Sequence, residues 1–424
     1  MGQNPGEFEE RGLRVSEKMG RDWVTTPTPC APFTGPTGLV LESEYLPLAG
    51  LERGRVNLAN AQRCRWGRSN DMKPLKAPEQ RAAIIHCQRA HGRIPTSTKL
   101  IVAEGEYAMW ALTGEGMDKK NTVGAWRGYL LPYNPQHMTP GRKVLNDIYT
   151  PGPDSLPVLV VYHLAYLNRA PWERPVARRD WSKIQAILRG QWPVPLPPVD
   201  PLPPQAWPRV AAFDTEFWGD PPQMTRYSLA YKERGGVKLH VVEAHESLVV
   251  PIPDDAVVIL QNAEADLWHL NAVTGGRPIQ FEDTMFAHAN LWPDLEHNLN
   301  FGGSIYARIN RWKHLVHLNP RVYAGGDAVG TLDWWLGMER EFQADPQSER
   351  VYRSLMLPLW PIILRARSKG ALVNHAQIAP VLEEMDRDQL DAVTRAQAAV
   401  GWPINIASPQ QVAEWLYKVE EVKK

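Results

Sequence analysis

The sequence predicts an α/β protein of two principal domains, and three observations predict it. Short apolar runs such as LIVAE (100–104), VLVVYH (158–163) and VVILQNA (257–263) read as buried strands. Stretches of helical period, 78–93 and 180–189, lie among them. At 424 residues the chain is too long for one ordinary core.

In chain order, a first α/β domain is expected over 1–190, with a polar loop rich in proline and glycine at 131–156. QWPVPLPPVDPLPPQAWP (191–208) follows, and its prolines forbid a helix interior and favour an extended linker. The second domain, 209–345, opens with the strand RVAAFDTEF and continues with YSLAYK, KLHVVEA and VVILQNA. From 346 to 424 the period becomes helical, in SLMLPLWPIILRARSKG and QIAPVLEEMDRDQLDAVTRAQAAVG.

Composition narrows the function classes. Lys plus Arg equals Asp plus Glu at 47 each, so no global field attracts a polyanion and any nucleic-acid groove must be local. Three cysteines exclude a disulfide scaffold and fit a reducing compartment. No secretory leader and no run of 18 apolar residues is present, which predicts a cytoplasmic protein with no membrane partner. Seventeen tryptophans offer stacking surface for bases but more often fill cores.

The chemistry is concentrated in carboxylates. In AAFDTEF, Asp214 and Glu216 stand one residue apart at a strand end, and the two-residue period puts both on one face. Two adjacent acids repel each other and suit Mg²⁺ or Mn²⁺, which prefer oxygen ligands. A D-x-E pair also occurs as plain surface charge, so it needs company. LQNAEADLWHL (260–270) places Asn262 and Asp266 four apart, on one face of an expected helix. RVYAGGDAVGTLDWW places Tyr323 one helical turn before Asp327. Taken singly, a helix cap, a surface acid or a core tyrosine would explain each of these.

Taken together and in this order, the three segments resemble the Exo I, II and III motifs of DnaQ-like exonucleases, most closely those of family-A DNA polymerases. FEDTMFAHANLWPDLEHNLNFGGSIY (281–306) resembles the family's intervening segment, and PINIASPQQVAEWLY its N-I-x-S-P-x-Q element. The resemblance implies an RNase H-like (DnaQ) domain with a helical C-terminal extension and a two-metal 3′–5′ exonuclease of the tyrosine subclass. Asp214, Glu216 and Asp327 would hold one ion, Asp214 would bridge to a second, and Asp266 would position the second ion's waters. Tyr323 would orient the attacking water, and Asn262 would contact the terminal nucleotide or brace the Exo II helix. Palm and fingers do not follow, so the expectation is either a polymerase on a separate chain or a stand-alone nuclease descended from one.

The N-terminal part resembles the uracil-DNA glycosylase superfamily, which implies a three-layer α/β/α domain. GQNPG carries Asn4 where the family positions its water, and APFTGPTGLVL carries Phe33 where the family stacks on uracil. GLERGRVNLANAQRCRWGR carries Asn60 for the base edge, and LVVYHLAYLNRAP carries His163 for the developing anion. Cys64 and Cys87 match two of the four ligands of a [4Fe–4S] branch, whereas Cys30 does not align. His163-Leu164-Ala165 also departs from the family's His-Pro-Ser or His-Pro-Ala. The expected function is DNA 3′-end proofreading beside a glycosylase-like module, in a bacterial or phage-infected cytoplasm. The alternatives are a nuclease with an inactive DNA-docking module and an RNA 3′-trimming enzyme.

Overall fold

The computed structural model describes residues 1, 14–19, 22–27, 32–62, 76–91, 94–117, 122–138, 151–152, 154–219, 223–244, 252–267 and 279–419. It divides into two units, Met1–Trp360 and Pro361–Lys424.

Strands β1 (Arg14–Met19) and β2 (Asp22–Pro27) form an antiparallel hairpin. Beyond them, β3 (Ile101–Glu104), β4 (Leu130–Pro132) and β5 (Pro157–Val161) make a sheet of order β3-β5-β4, with β3 parallel and β4 antiparallel to β5. Both faces are covered. Val158 and Val160 join a core with Met109, Leu112 and Trp126, while Leu159 and Val161 join another with Tyr45, Leu46 and Trp181. A sheet buried on both sides explains why VLVV is an unbroken apolar run. The expected loop at 131–156 begins as β4, and its residues 139–150 and 153 lie outside the described residues. The helix expected at 180–189 is two, α3 (Arg174–Ser182), following α1 (Ala77–His91) and α2 (Glu106–Thr113), and then a short one at Ile184–Leu188.

The second sheet has six strands in the order β11-β10-β7-β8-β9-β6. Its members are β6 (Val199–Asp200), β7 (Val210–Trp218), β8 (Gln223–Glu233), β9 (Gly236–Glu243), β10 (Val257–Leu260) and β11 (Gln280–Asp283). β7, β8 and β9 pair antiparallel, while β10 lies parallel to both β7 and β11. β6 comes from the proline-rich stretch. Val199 and Asp200 pair in parallel with Leu239 and His240, so this stretch docks on the sheet edge, the one place where residues lacking an N–H cost no ladder bonds. Helices α4 (Thr284–Leu291), α5 (Leu299–Tyr306) and α6 (Pro320–Ala344) follow.

The two sheets belong to one unit, joined along a polar seam. Leu130 N donates to Asn310 Oδ1 and Leu130 O accepts from Asn310 Nδ2, both at 3.0 Å. Lys183 Nζ donates to Gly128 O at 2.7 Å and Ser304 O at 2.5 Å, and the Tyr129 hydroxyl donates to Asn300 O at 3.1 Å. Arg127, bidentate on Asp180 at 2.8 and 2.9 Å, places its guanidinium 5.0 Å from the Phe301 ring.

α6 is the long central helix, and Asn319 caps it by accepting from Val322 N. Trp312 lies flat against it where Gly326 and Gly330 leave room, and a methyl at either glycine would overlap the indole. Gly330→Ala is therefore expected to destabilise the protein by about 1–3 kcal/mol, overpacking outweighing alanine's better helix propensity. An unchanged melting temperature would place Trp312 elsewhere.

The second unit holds α8 (His375–Val400), which follows α7 (Leu357–Lys369). The Asn374 side chain caps α8 by accepting from Ala376 N, and Gly401, with φ 78°, ends it in the left-handed region where glycine pays no steric penalty.

Candidate metal centre

Three carboxylates meet where β7 passes α6. One oxygen each from Asp214, Glu216 and Asp327 lies within 4.8 Å of the others. Asp214 and Glu216 share a face of β7, and a register shift between Glu216 and Phe217 re-aims the strand there. Asp327 comes from the buried side of α6. Burial, then Asp327 and Asp266, pushes the Asp214 carboxyl well above the usual range, with Lys313 pulling the other way. Glu216 is raised by burial and by Asp327. Its Oε1 is buried without a hydrogen-bond partner. An unpartnered carboxylate oxygen among mutually repelling acids is the donor set a hard divalent cation takes, so these residues fit Mg²⁺ or Mn²⁺.

Asp266 sits beside this triad. Its Oδ1 accepts from Thr215 N at 2.9 Å and Thr215 Oγ1 at 2.5 Å. Burial raises its carboxyl to about 7, against those two bonds. The helical turn carrying Asp266 starts at Ala263, so Asn262 precedes it and does not share a helical face with Asp266. Asn262 has φ 60°, a left-handed conformation that asparagine tolerates better than most residues. Asp283 fastens this turn, accepting from Ala263 N at 2.9 Å through one oxygen and from Met285 N at 2.8 Å, as the cap of α4, through the other.

Tyr323 lies one turn before Asp327 on α6, as expected. Its hydroxyl accepts from Lys313 Nζ at 3.2 Å, and burial followed by Asp327 pushes it up to about 12. Lys313 Nζ is 2.6 Å from Asp327 Oδ1, and Trp312 Nε1 donates to the same carboxylate oxygen. Sequence reasoning missed Lys313, Trp312, Thr215 and Asp283. The last two stand inside segments the motifs had singled out, whereas nothing in NRWKHL marks Trp312 or Lys313. A cleft of about 740 Å³ opens beside the site, lined by Asn262, Met285, His297, Asn298, Asn300 and Lys313 among others.

The residues singled out in the N-terminal part are not gathered in the same way. Asn4, Cys30 and Cys64 lie outside the described residues. Asn60 and Cys87 line a second cavity of about 540 Å³, but Phe33 and His163 lie outside it. Phe33 is packed into the core with Leu41 and Trp181, because an apolar ring gains more there than at a wet surface. His163 Nδ1 accepts from Ala165 N at 3.1 Å, capping the short helix Leu164–Leu167, and desolvation lowers the ring to about 4.

No protein-family model and no curated protein matches the sequence. Over part of its length the chain resembles several solved structures, all at low sequence identity. NrnC of Brucella melitensis with bound Mg²⁺ is 14% identical over 39% of this chain and 90% of its own, at a TM-score of 0.32. Escherichia coli RNase D, an exoribonuclease, is 17% identical over 39% of this chain and 46% of its own, at 0.30. The POL domain of Pol1 from M. smegmatis, in complex with DNA primer-template and dNTP, is 15% identical over 50% of this chain and 37% of its own, at 0.40. Among the described residues, no helix is long and apolar enough to cross a membrane.

Proposed function

We propose that this chain is a metal-dependent 3′–5′ exonuclease that trims DNA ends. The observation that carries this reading is the convergence of Asp214, Glu216 and Asp327 within 4.8 Å, with a partnerless Glu216 oxygen among them. Two Mg²⁺ or Mn²⁺ ions, when bound, supply an activated water and stabilise charge on the leaving oxygen. Asp214, Glu216 and Asp327 hold the metal. Asp266, anchored on Thr215 through one oxygen, keeps the other for ordering water. Tyr323 directs the attacking water, and Asn262, on the cleft wall, meets the terminal nucleotide. The N-I-x-S-P-x-Q element favours DNA over RNA.

For the N-terminal part, the core position of Phe33 and the capping role of His163 favour a docking module over a working glycosylase. The test is a comparison of 5′-labelled DNA and RNA oligomers with Mg²⁺. A DNA ladder shortened from the 3′ end, abolished by EDTA, is expected to outpace the RNA one. Faster RNA trimming moves the assignment to RNA, and an absence of trimming on both removes it. Release of uracil from single-stranded DNA by the purified chain would restore the glycosylase reading.

A further inference from the structure

Resting on the nuclease reading, we propose that Lys313 is a positioning residue of this site, a built-in cation that aims the Tyr323 hydroxyl and shares Asp327 with the metal. An ammonium can only donate. With Lys313 Nζ on the Tyr323 oxygen at 3.2 Å, the tyrosine accepts there and its own hydrogen must point elsewhere. The same Nζ lies 2.6 Å from Asp327 Oδ1 and 4.7 Å from the centroid of the Tyr323 ring, and the residue forms part of the cleft wall. One amine thus occupies one side of the hydroxyl oxygen and selects the orientation in which the phenolic hydrogen points away from Lys313.

The placement is firm because the strip carrying Lys313 is gripped from behind. Asn310 exchanges two hydrogen bonds with Leu130, the Arg311 guanidinium lies 4.2 Å from the Trp126 ring centroid, and the His314 ring lies 5.9 Å from the same indole. Trp312 is pinned on Asp327 from its own side chain. Fastened on both flanks, Lys313 has little freedom to swing away, so its charge stays in the site and competes with a bound cation for Asp327.

The two roles make opposite demands, and this separates them from a merely structural one. Removing the charge should strengthen metal binding, because a competing cation leaves, yet slow the reaction, because Tyr323 is released. In Lys313→Met, Mn²⁺ binding measured by isothermal titration calorimetry is expected to tighten roughly threefold or more. Single-turnover trimming of a 5′-labelled DNA oligomer is expected to slow about tenfold, with KM little changed. Because the rate losses of Lys313→Met and Tyr323→Phe act through one hydrogen bond, the double variant should be no more than about threefold slower than the slower single variant.

Trimming by Lys313→Met within twofold of the wild-type rate, Mn²⁺ binding that is unchanged or weakens along with the rate, or losses that multiply in the double variant would each overturn the role. If Lys313→Met does not fold, Tyr323→Phe serves instead. It keeps the charge on Asp327 but removes the hydroxyl that Lys313 aims, so Mn²⁺ affinity should hold while trimming slows, and unimpaired trimming overturns the proposal. A wild-type chain that neither binds Mn²⁺ nor trims takes down the nuclease reading and this inference together, an outcome distinct from a working wild type with the wrong variant pattern.

Discussion

Asp214→Ala is expected to trim a 5′-labelled DNA oligomer at least about a hundredfold more slowly than the wild-type chain, the scale of loss when a metal site is damaged. Asp214 faces Glu216, Asp266 and Asp327 together, so no neighbour replaces its oxygen. Asp327→Ala should lose as much, but for two reasons at once. It also strips Trp312 Nε1 of its acceptor and Lys313 Nζ of its counter-charge, and breaking a largely buried ion pair from one side costs about 3–5 kcal/mol. Asp327→Asn separates the effects, since its amide oxygen still accepts from the indole. Its melting temperature should fall less than that of Asp327→Ala while activity stays lost. Near-normal trimming by Asp214→Ala or Asp327→Asn would refute the metal site.

The metal-free protein should lose thermal stability as pH rises, and Mg²⁺ or Mn²⁺ should return it. Asp214, Glu216 and Asp266 are all raised by burial and by one another or Asp327 and Asp283, Asp266 to about 7. A carboxyl with a raised folded value contributes stability that is complete below the unfolded value, near 4, and is lost as pH climbs through the folded one. The loss should therefore spread from about pH 4 to 7 for Asp266, with Asp214 acting in the same direction. In EDTA at pH 8, Asp214→Asn should melt about 2 °C or more above wild type, because it removes a repelling charge, yet gain nothing from Mn²⁺. A melting temperature in EDTA that is flat or rises between pH 5 and 8 would contradict this account of the cluster.

What was legible in the sequence was what local geometry dictates. Asp214 and Glu216 could be placed on one face because a strand repeats every two residues, and Tyr323 could be set over Asp327 because a helix turns every 3.6. The unbroken apolar runs at 101–104, 157–161 and 257–260 announced buried strands for the same reason. Legibility failed where tertiary packing decides. β11 reads QFED, too polar and too short to stand out, and becomes a strand because β10 offers it a parallel edge. Asn262 falls out of the expected helix because the chain must turn sharply from β10, which its left-handed φ accomplishes. Lys313 sits in a short turn without periodicity, and tertiary packing, including that of Trp312 on the glycines of α6, carries it to Asp327. The proline-rich stretch looked like a spacer, since composition reveals stiffness but not what the stiff segment leans on.

The pairing of Asn310 with Leu130 has a consequence for inheritance. These residues are 180 positions apart, yet they exchange bonds as two strand residues do. A recombination event that joined the six-stranded half to a foreign N-terminal half would leave Asn310, the Ser304 carbonyl and the Asn300 carbonyl facing a stranger with no matching groups. The strip bearing Lys313 would then lose its backing. Natural shuffling at the proline-rich junction is thereby disfavoured even though the composition there invites it, and the two halves should descend through lineages as a single cassette.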